Sequence, residues 1–143
     1  MKLSPNFSLE ELIYTSTGLP NDPSTGAKEK LLYLANYLLQ PVRDRWGALT
    51  ISSGFRSMAV NSVVNGSAGS QHLYGEAADF VPYSAKLDEV FEWIVKESRL
   101  PFGQAILEEK AKNGEIKRWI HISLPRIGKD NQQILRFRNG QYV

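Results

Sequence analysis

Cysteine is absent from these 143 residues, and histidine occurs only twice. Without cysteine there can be no disulfide framework, no thiolate metal site and no cysteine nucleophile. Charge of one sign is also scarce. A formal net charge of +2 is too small and too scattered to support nucleic-acid binding, although it is compatible with an anionic polymer. No apolar run is long enough to cross a bilayer, so membrane insertion is not expected. The opening stretch MKLSPNFSLEEL has no signal-peptide core. The expectation is a chain made in the cytoplasm that meets any external target after release. Repeats, low-complexity segments and linkers are lacking too. The length suits one domain, residues 1–143, with a real core, and a monomer is expected.

What is present reads as helices first and strands later. Ser8 and Glu11 in FSLEEL form a capping box. From about Ala27 an amphipathic pattern runs through Leu31, Leu34, Ala35, Leu38, Val42 and Trp46 and closes at Gly47. Pro41 lies inside it and predicts a kink or break near Gln40. ALTISS reads as a strand, SMAVNSVVN as a short capped helix, and EAADFVPY as a strand after a Gly-Ser loop. A second amphipathic helix follows in SAKLDEVFEWIVKES, with Ser84 as its expected cap. GQAILEE, IKRWIHISL and QILRFRNGQYV are strand-like. This order predicts an α+β fold, an antiparallel sheet core with helices packed on it. The Leu and Tyr residues between 31 and 39, and Trp93, are assigned to the core. The basic tail is assigned to a solvated edge strand.

The register of one hairpin can be worked out in advance. Asn113-Gly114 between two strand-like runs signals a type I′ turn, whose central residues both need positive φ. Lys112 then pairs with Glu115, Glu109 with Arg118, Glu108 with Trp119, and Ile106 with His121. Directly paired residues share a face and successive residues alternate. Glu108, Trp119, His121 and Ser123 therefore point one way. Glu109 and Arg118 point the other way, where they can form an ion pair.

Both histidines sit where chemistry is plausible. His72 lies in the loop GSAGSQHLYGEAADF, seven residues before Asp79, and His121 lies in WIHIS. Two imidazoles and a carboxylate are a sound three-ligand set for catalytic zinc, whose fourth position must stay open. Taken by itself, His-x6-Asp is weak, and a solvated loop histidine beside a turn aspartate is its bland reading.

The wider context is more specific. Ser70, His72, Gly75, Ala77 and Asp79 match the pattern Ser-x-His-x-x-Gly-x-Ala-x-Asp, with SSGFRS upstream and WIHIS downstream. From about Phe7 to Arg126 the chain resembles the zinc peptidases that cut peptidoglycan stem peptides. That family includes D-Ala-D-Ala carboxypeptidases and L-Ala-D-Glu endopeptidases, and hedgehog domains share its fold. The resemblance implies a hedgehog/DD-peptidase-like fold, Zn2+ held by His72, Asp79 and His121, and stem peptides as substrate. It also implies that Arg56 of SGFRS contacts the substrate and steadies the oxyanion, as a guanidinium fork can. Ser70 is a candidate for substrate binding or for plain turn chemistry. Trp119 is a candidate cleft wall or a half-buried sheet residue.

One position departs from the pattern. Many members carry an acidic general base three residues before the last histidine, and here that residue is Arg118. The hairpin register nominates Glu108 from the neighbouring strand; Glu109 would take the role only if the register were off by one, and Glu115 is the next candidate if neither serves. The leading expectation is thus a zinc metallopeptidase acting on peptidoglycan, of phage or prophage lysis type. The alternative is a zinc-containing binding module of the same fold that does no catalysis, and the direction in which Glu108 points separates the two.

Overall fold

Pro41 does not break the long N-terminal helix, because the turn before it is wider than an α-turn. The computed structural model describes residues 1–128 and 132–143. In it, α2 (Thr25–Leu34) runs into a π-helical turn (Ala35–Leu39) and on into α3 (Gln40–Trp46). The Gln40 N–H reaches back five residues to the Ala35 carbonyl. A proline ring in an α-helix clashes with the carbonyl four residues back and lacks the N–H that would bond it. One π-turn widens the spacing where Pro41 needs it. Ser24 starts the run by accepting the Ala27 N–H, and Gly47 ends it at φ +87°.

Two short strands, β1 (Lys2–Ser4) and β2 (Phe7–Ser8), pair with each other and lead into α1 (Leu9–Leu12). Ser8 caps α1 through the Glu11 N–H at 3.1 Å, as the capping box predicts. After α3 come β3 (Leu49–Ser53), α4 (Met58–Val63), a 3₁₀ turn (Gln71–Tyr74), β4 (Ala77–Pro82) and α5 (Leu87–Lys96). The chain continues through β5 (Gln104–Lys112), β6 (Glu115–Ser123), β7 (Gln133–Arg138) and β8 (Gln141–Tyr142). Strands β3 to β8 form one six-stranded sheet in the order β3-β4-β6-β5-β7-β8.

The α+β expectation holds, and each pairing in this sheet is antiparallel except one: β7 runs parallel to β5. The predicted hairpin register is the observed one, pair by pair, from Lys112–Glu115 to Ile106–His121. Asn113 and Gly114 take φ +52° and +78°, as a type I′ turn requires.

Each strand divides its residues between two faces. Ala78 and Phe80 of β4, Ala105 and Leu107 of β5, and Ile120 and Ile122 of β6 join the core. They pack there with Leu31, Leu34 and Leu38 of the long helix and Val90, Phe91 and Ile94 of α5. Asp79, Ile106, Glu108, Trp119 and His121 alternate with them and face away from the helices. Among the described residues, no helix is long and apolar enough to cross a membrane.

Three assignments are corrected. Tyr33 and Tyr37 are exposed and stack on each other, with ring centroids 5.9 Å apart, so only the leucines that alternate with them on the inner stripe are core. α5 begins at Leu87 with Lys86 at its cap position and no side-chain cap, so Ser84 does not play that role. The basic tail forms the sheet edge only in its last two-residue strand, β8, and not in the stretch that carries its arginines. β7 lies between β5 and β8, and Arg136 and Arg138 pair with Glu92 of α5 and Glu109 of β5. A second Asn-Gly turn, Asn139-Gly140 at φ +52° and +78°, sends β8 back to form the edge.

Candidate active site

His72, Asp79 and His121 are distant in sequence and adjacent in space. The antiparallel pairing of β4 with β6 sets Asp79 directly opposite His121. His72 comes from the 3₁₀ turn that precedes β4. Ser70 caps that turn by accepting the His72 N–H at 3.2 Å, so its observed role is turn chemistry within the site. Gly75 ends the turn at φ +73°, and a Cβ there would lie 2.5 Å from the Ala27 carbonyl oxygen, so both the backbone conformation and the close approach of α2 require glycine.

Donor atoms of the three side chains all lie within 4.8 Å of one another, and the residues are buried. His121 Nδ1 is 2.9 Å from Asp79 Oδ1, and His72 Nε2 is 3.3 Å from the same oxygen. His72 Nδ1 faces the Gly54 carbonyl at 2.7 Å. A carbonyl only accepts, so Nδ1 carries the proton and the neutral ring turns its Nε2 lone pair toward Asp79. Burial pushes the His72 pKa down, against the pull of Asp79, and keeps the ring neutral. Burial also works against ionised Asp79, but the adjoining histidines outweigh it and hold the carboxyl well below the usual carboxylate range. A lone pair and a carboxylate oxygen thus face each other across a buried gap. A cation is the partner that suits both, and two imidazoles with a carboxylate suit zinc chemically.

Groups around the cluster hold these donors in place. The Gly54 carbonyl sets the His72 tautomer. Gly54 itself abuts α1, where a Cβ would fall 2.2 Å from the Leu12 carbonyl oxygen. Arg56 donates from Nη2 to Asp79 Oδ2 at 3.3 Å, from Nε to Ser53 Oγ at 2.9 Å and from Nη1 to Asn61 Oδ1 at 3.3 Å. Of the five guanidinium N–H groups, these bonds leave two for a ligand. Arg56 therefore orients Asp79 as well as lining the cleft, a role the sequence reading did not assign. Buried Asn61 joins it, bonding both Arg56 and the Ser67 carbonyl in the loop before His72.

The cluster lies in a cleft of about 850 Å³, which Arg56, Glu108 and Trp119 also line. Trp119 Nε1 donates to Glu108 Oε2 at 3.1 Å, so the half-buried indole orients the carboxylate. Burial first, and then the Asp79 charge, push the Glu108 carboxyl above the ordinary glutamate value, against the pull of His121, Trp119 and Arg56. Glu109 points the other way. Its carboxylate meets Arg118 at 3.4 Å and Arg138 at 2.8 Å. The principal partner of Arg118 is Asp88 on α5, held by two bonds of 2.8 and 3.1 Å. Glu115 pairs with Lys112 at the far end of the hairpin, six residues along β6 from His121 and so roughly 20 Å away. It is not placed to act with the cluster.

Sequence reasoning missed the part of the cleft built by Leu135, Phe137 and Tyr142. The available signal was the Asn-Gly dipeptide at 139–140, identical to the one read correctly at 113–114.

Comparison with known proteins agrees with this geometry. Over 43 residues, 29% of this chain, the sequence is 46% identical to the zinc D-Ala-D-Ala carboxypeptidase of Streptomyces albus G. The matched stretch is only 17% of that protein's length. A sequence model of the Peptidase M15 family matches residues 5–123, the greater part of the chain and all three cluster residues. The chain belongs to the Peptidase M15 family.

Proposed function

We propose that this protein is a zinc peptidase, folded as one domain, that hydrolyses peptide bonds in peptidoglycan stem peptides. One observation carries the reading: the His72, Asp79 and His121 cluster and a carboxylate outside it, Glu108, line the same cleft. Zinc held by His72, Asp79 and His121 would supply Lewis-acid polarisation of the scissile carbonyl and activation of water. Glu108 takes the proton from the attacking water and passes it to the leaving amine as the C–N bond breaks. Its raised pKa suits it to hold that proton between the two steps. Trp119 keeps the carboxylate aimed, and the remaining N–H groups of Arg56 face the developing oxyanion or a substrate carboxylate.

A binding module without catalysis needs the same metal cluster but gives no reason for a carboxylate beside it. Glu108 favours the enzyme. The test is incubation of the zinc-loaded protein with purified stem peptides, with products resolved by mass. A cleavage that is abolished by a chelator and restored by added zinc is the expected result. Binding of stem peptides with no cleavage by zinc-loaded protein would establish the binding module instead.

A further inference from the structure

The sheet arranges the cleft in rows. Asp79, His121, Ile106 and Leu135 are paired in turn across β4, β6, β5 and β7. Two residues further along the strands, on the same face, Trp119, Glu108, Phe137 and Tyr142 are paired in turn across β6, β5, β7 and β8. The second row starts at the indole that holds Glu108 and ends in two aromatic rings with centroids 4.5 Å apart. Tyr142 is exposed although it packs on Phe137, so the pair presents an apolar surface that nothing in the described fold covers. β7 and β8 also lie beyond residue 123, where the family match ends. The match therefore does not reach the wall they build, although it covers all three residues of the metal cluster.

We infer that the β7–β8 hairpin reads substrate length: Phe137 and Tyr142 seat an apolar group of the peptide well away from the bond that is cut. The inference rests on the peptidase reading and deepens it. Strands are spaced about 4.8 Å apart, so β8 lies roughly 14 Å from β6. An extended peptide covers that distance in about four residues. A substrate of two residues stays over the cluster and never meets the rings. A longer one continues past Glu108 onto the aromatic pair. The rings are set without a flexible tether, because β7 is locked to β5 along its length and Arg138 is pinned to Glu109 at 2.8 Å. Such a wall adds binding without touching the reacting atoms, so it acts on KM more than on kcat.

The test compares Tyr142→Ala and Phe137→Leu with the unaltered zinc-loaded protein on two substrates, an intact stem peptide and the shortest fragment of it still hydrolysed. Each substitution should lower kcat/KM for the intact peptide on the order of tenfold, through KM, and leave the short fragment within about twofold. A second readout needs no turnover. Titration of the Glu108→Gln protein with the intact peptide should show weaker binding once Tyr142→Ala is added, with no change for the fragment. Equal losses on both substrates, or no loss on either, would overturn the inference. If the unaltered protein cleaves neither substrate, the peptidase reading fails separately, and the titration alone decides whether the aromatic wall binds the longer peptide.

Discussion

Glu108 and Glu109 are consecutive residues of the same type on one strand, and they do opposite things. Glu108 faces the cleft, bonds one neutral indole and has its pKa raised by burial and the Asp79 charge. Glu109 faces the helices and is held between two arginines. The same division runs through the sheet. On β6, Ile120 and Ile122 are in the core while Trp119 and His121 are in the cleft. The helix face stores stability in packed aliphatic side chains and in ion pairs such as Arg118–Asp88. The cleft face holds unlike groups that satisfy one another only partly. A pleated strand lets one stretch of sequence serve both ends, because successive side chains cannot share a face.

This contrast can be broken from either side. The largest effect should come from His121→Ala, which removes one of three donors. Zinc content measured on the purified protein should fall from about one per chain to near zero, with all peptidase activity lost. Wild-type zinc content in that variant would sink the cluster as the metal site. Next comes Glu108→Gln, which keeps the shape and the indole bond but removes the proton acceptor. Activity should drop by about 10²–10⁴-fold while zinc content and thermal midpoint stay put.

On the opposite face, Ile120→Ala should cost about 2–5 kcal/mol in denaturant unfolding. Zinc stoichiometry per folded molecule should not change, and a loss of zinc in folded protein would show that the two faces are not separable. Smallest of all should be Glu109→Gln. Its ion pairs are partly exposed, and Arg118 retains Asp88, so stability should change by about 1 kcal/mol or less and activity hardly at all. A dead Glu109→Gln enzyme with an active Glu108→Gln one would reverse the assignment of the two carboxylates.

Local chemistry made a good part of this legible in advance. Asn113-Gly114 admits one turn geometry, and that turn set the pairing of nine residues on each strand. From the pairing followed the face of Glu108, its closeness to His121 and the exclusion of Glu109. Pro41 announced a disturbance near Gln40, although not that a single π-turn would absorb it and keep the helix running. The spacing of Ser70, His72, Gly75 and Asp79 marked the loop as a site, and each of those residues is accounted for by a bond or a backbone angle.

What the sequence by itself determined, then, was whatever depends on near neighbours: turn type, strand phase, and the two sides of each amphipathic segment. These follow from steric limits on φ and from the period of side chains along the chain. The tertiary structure alone decided which segments became neighbours. Strand phase says which residues of β4 and β6 share a face, but not that β4 lies against β6, which set Asp79 opposite His121. Nothing local says that β7 should run parallel to β5, placing Phe137 beside Glu108 and turning a basic tail into a cleft wall. Nor does anything local say that Arg118 should find Asp88 on α5. Such choices rest on how much apolar surface each arrangement buries over the whole core, a sum over contacts between residues far apart in the chain.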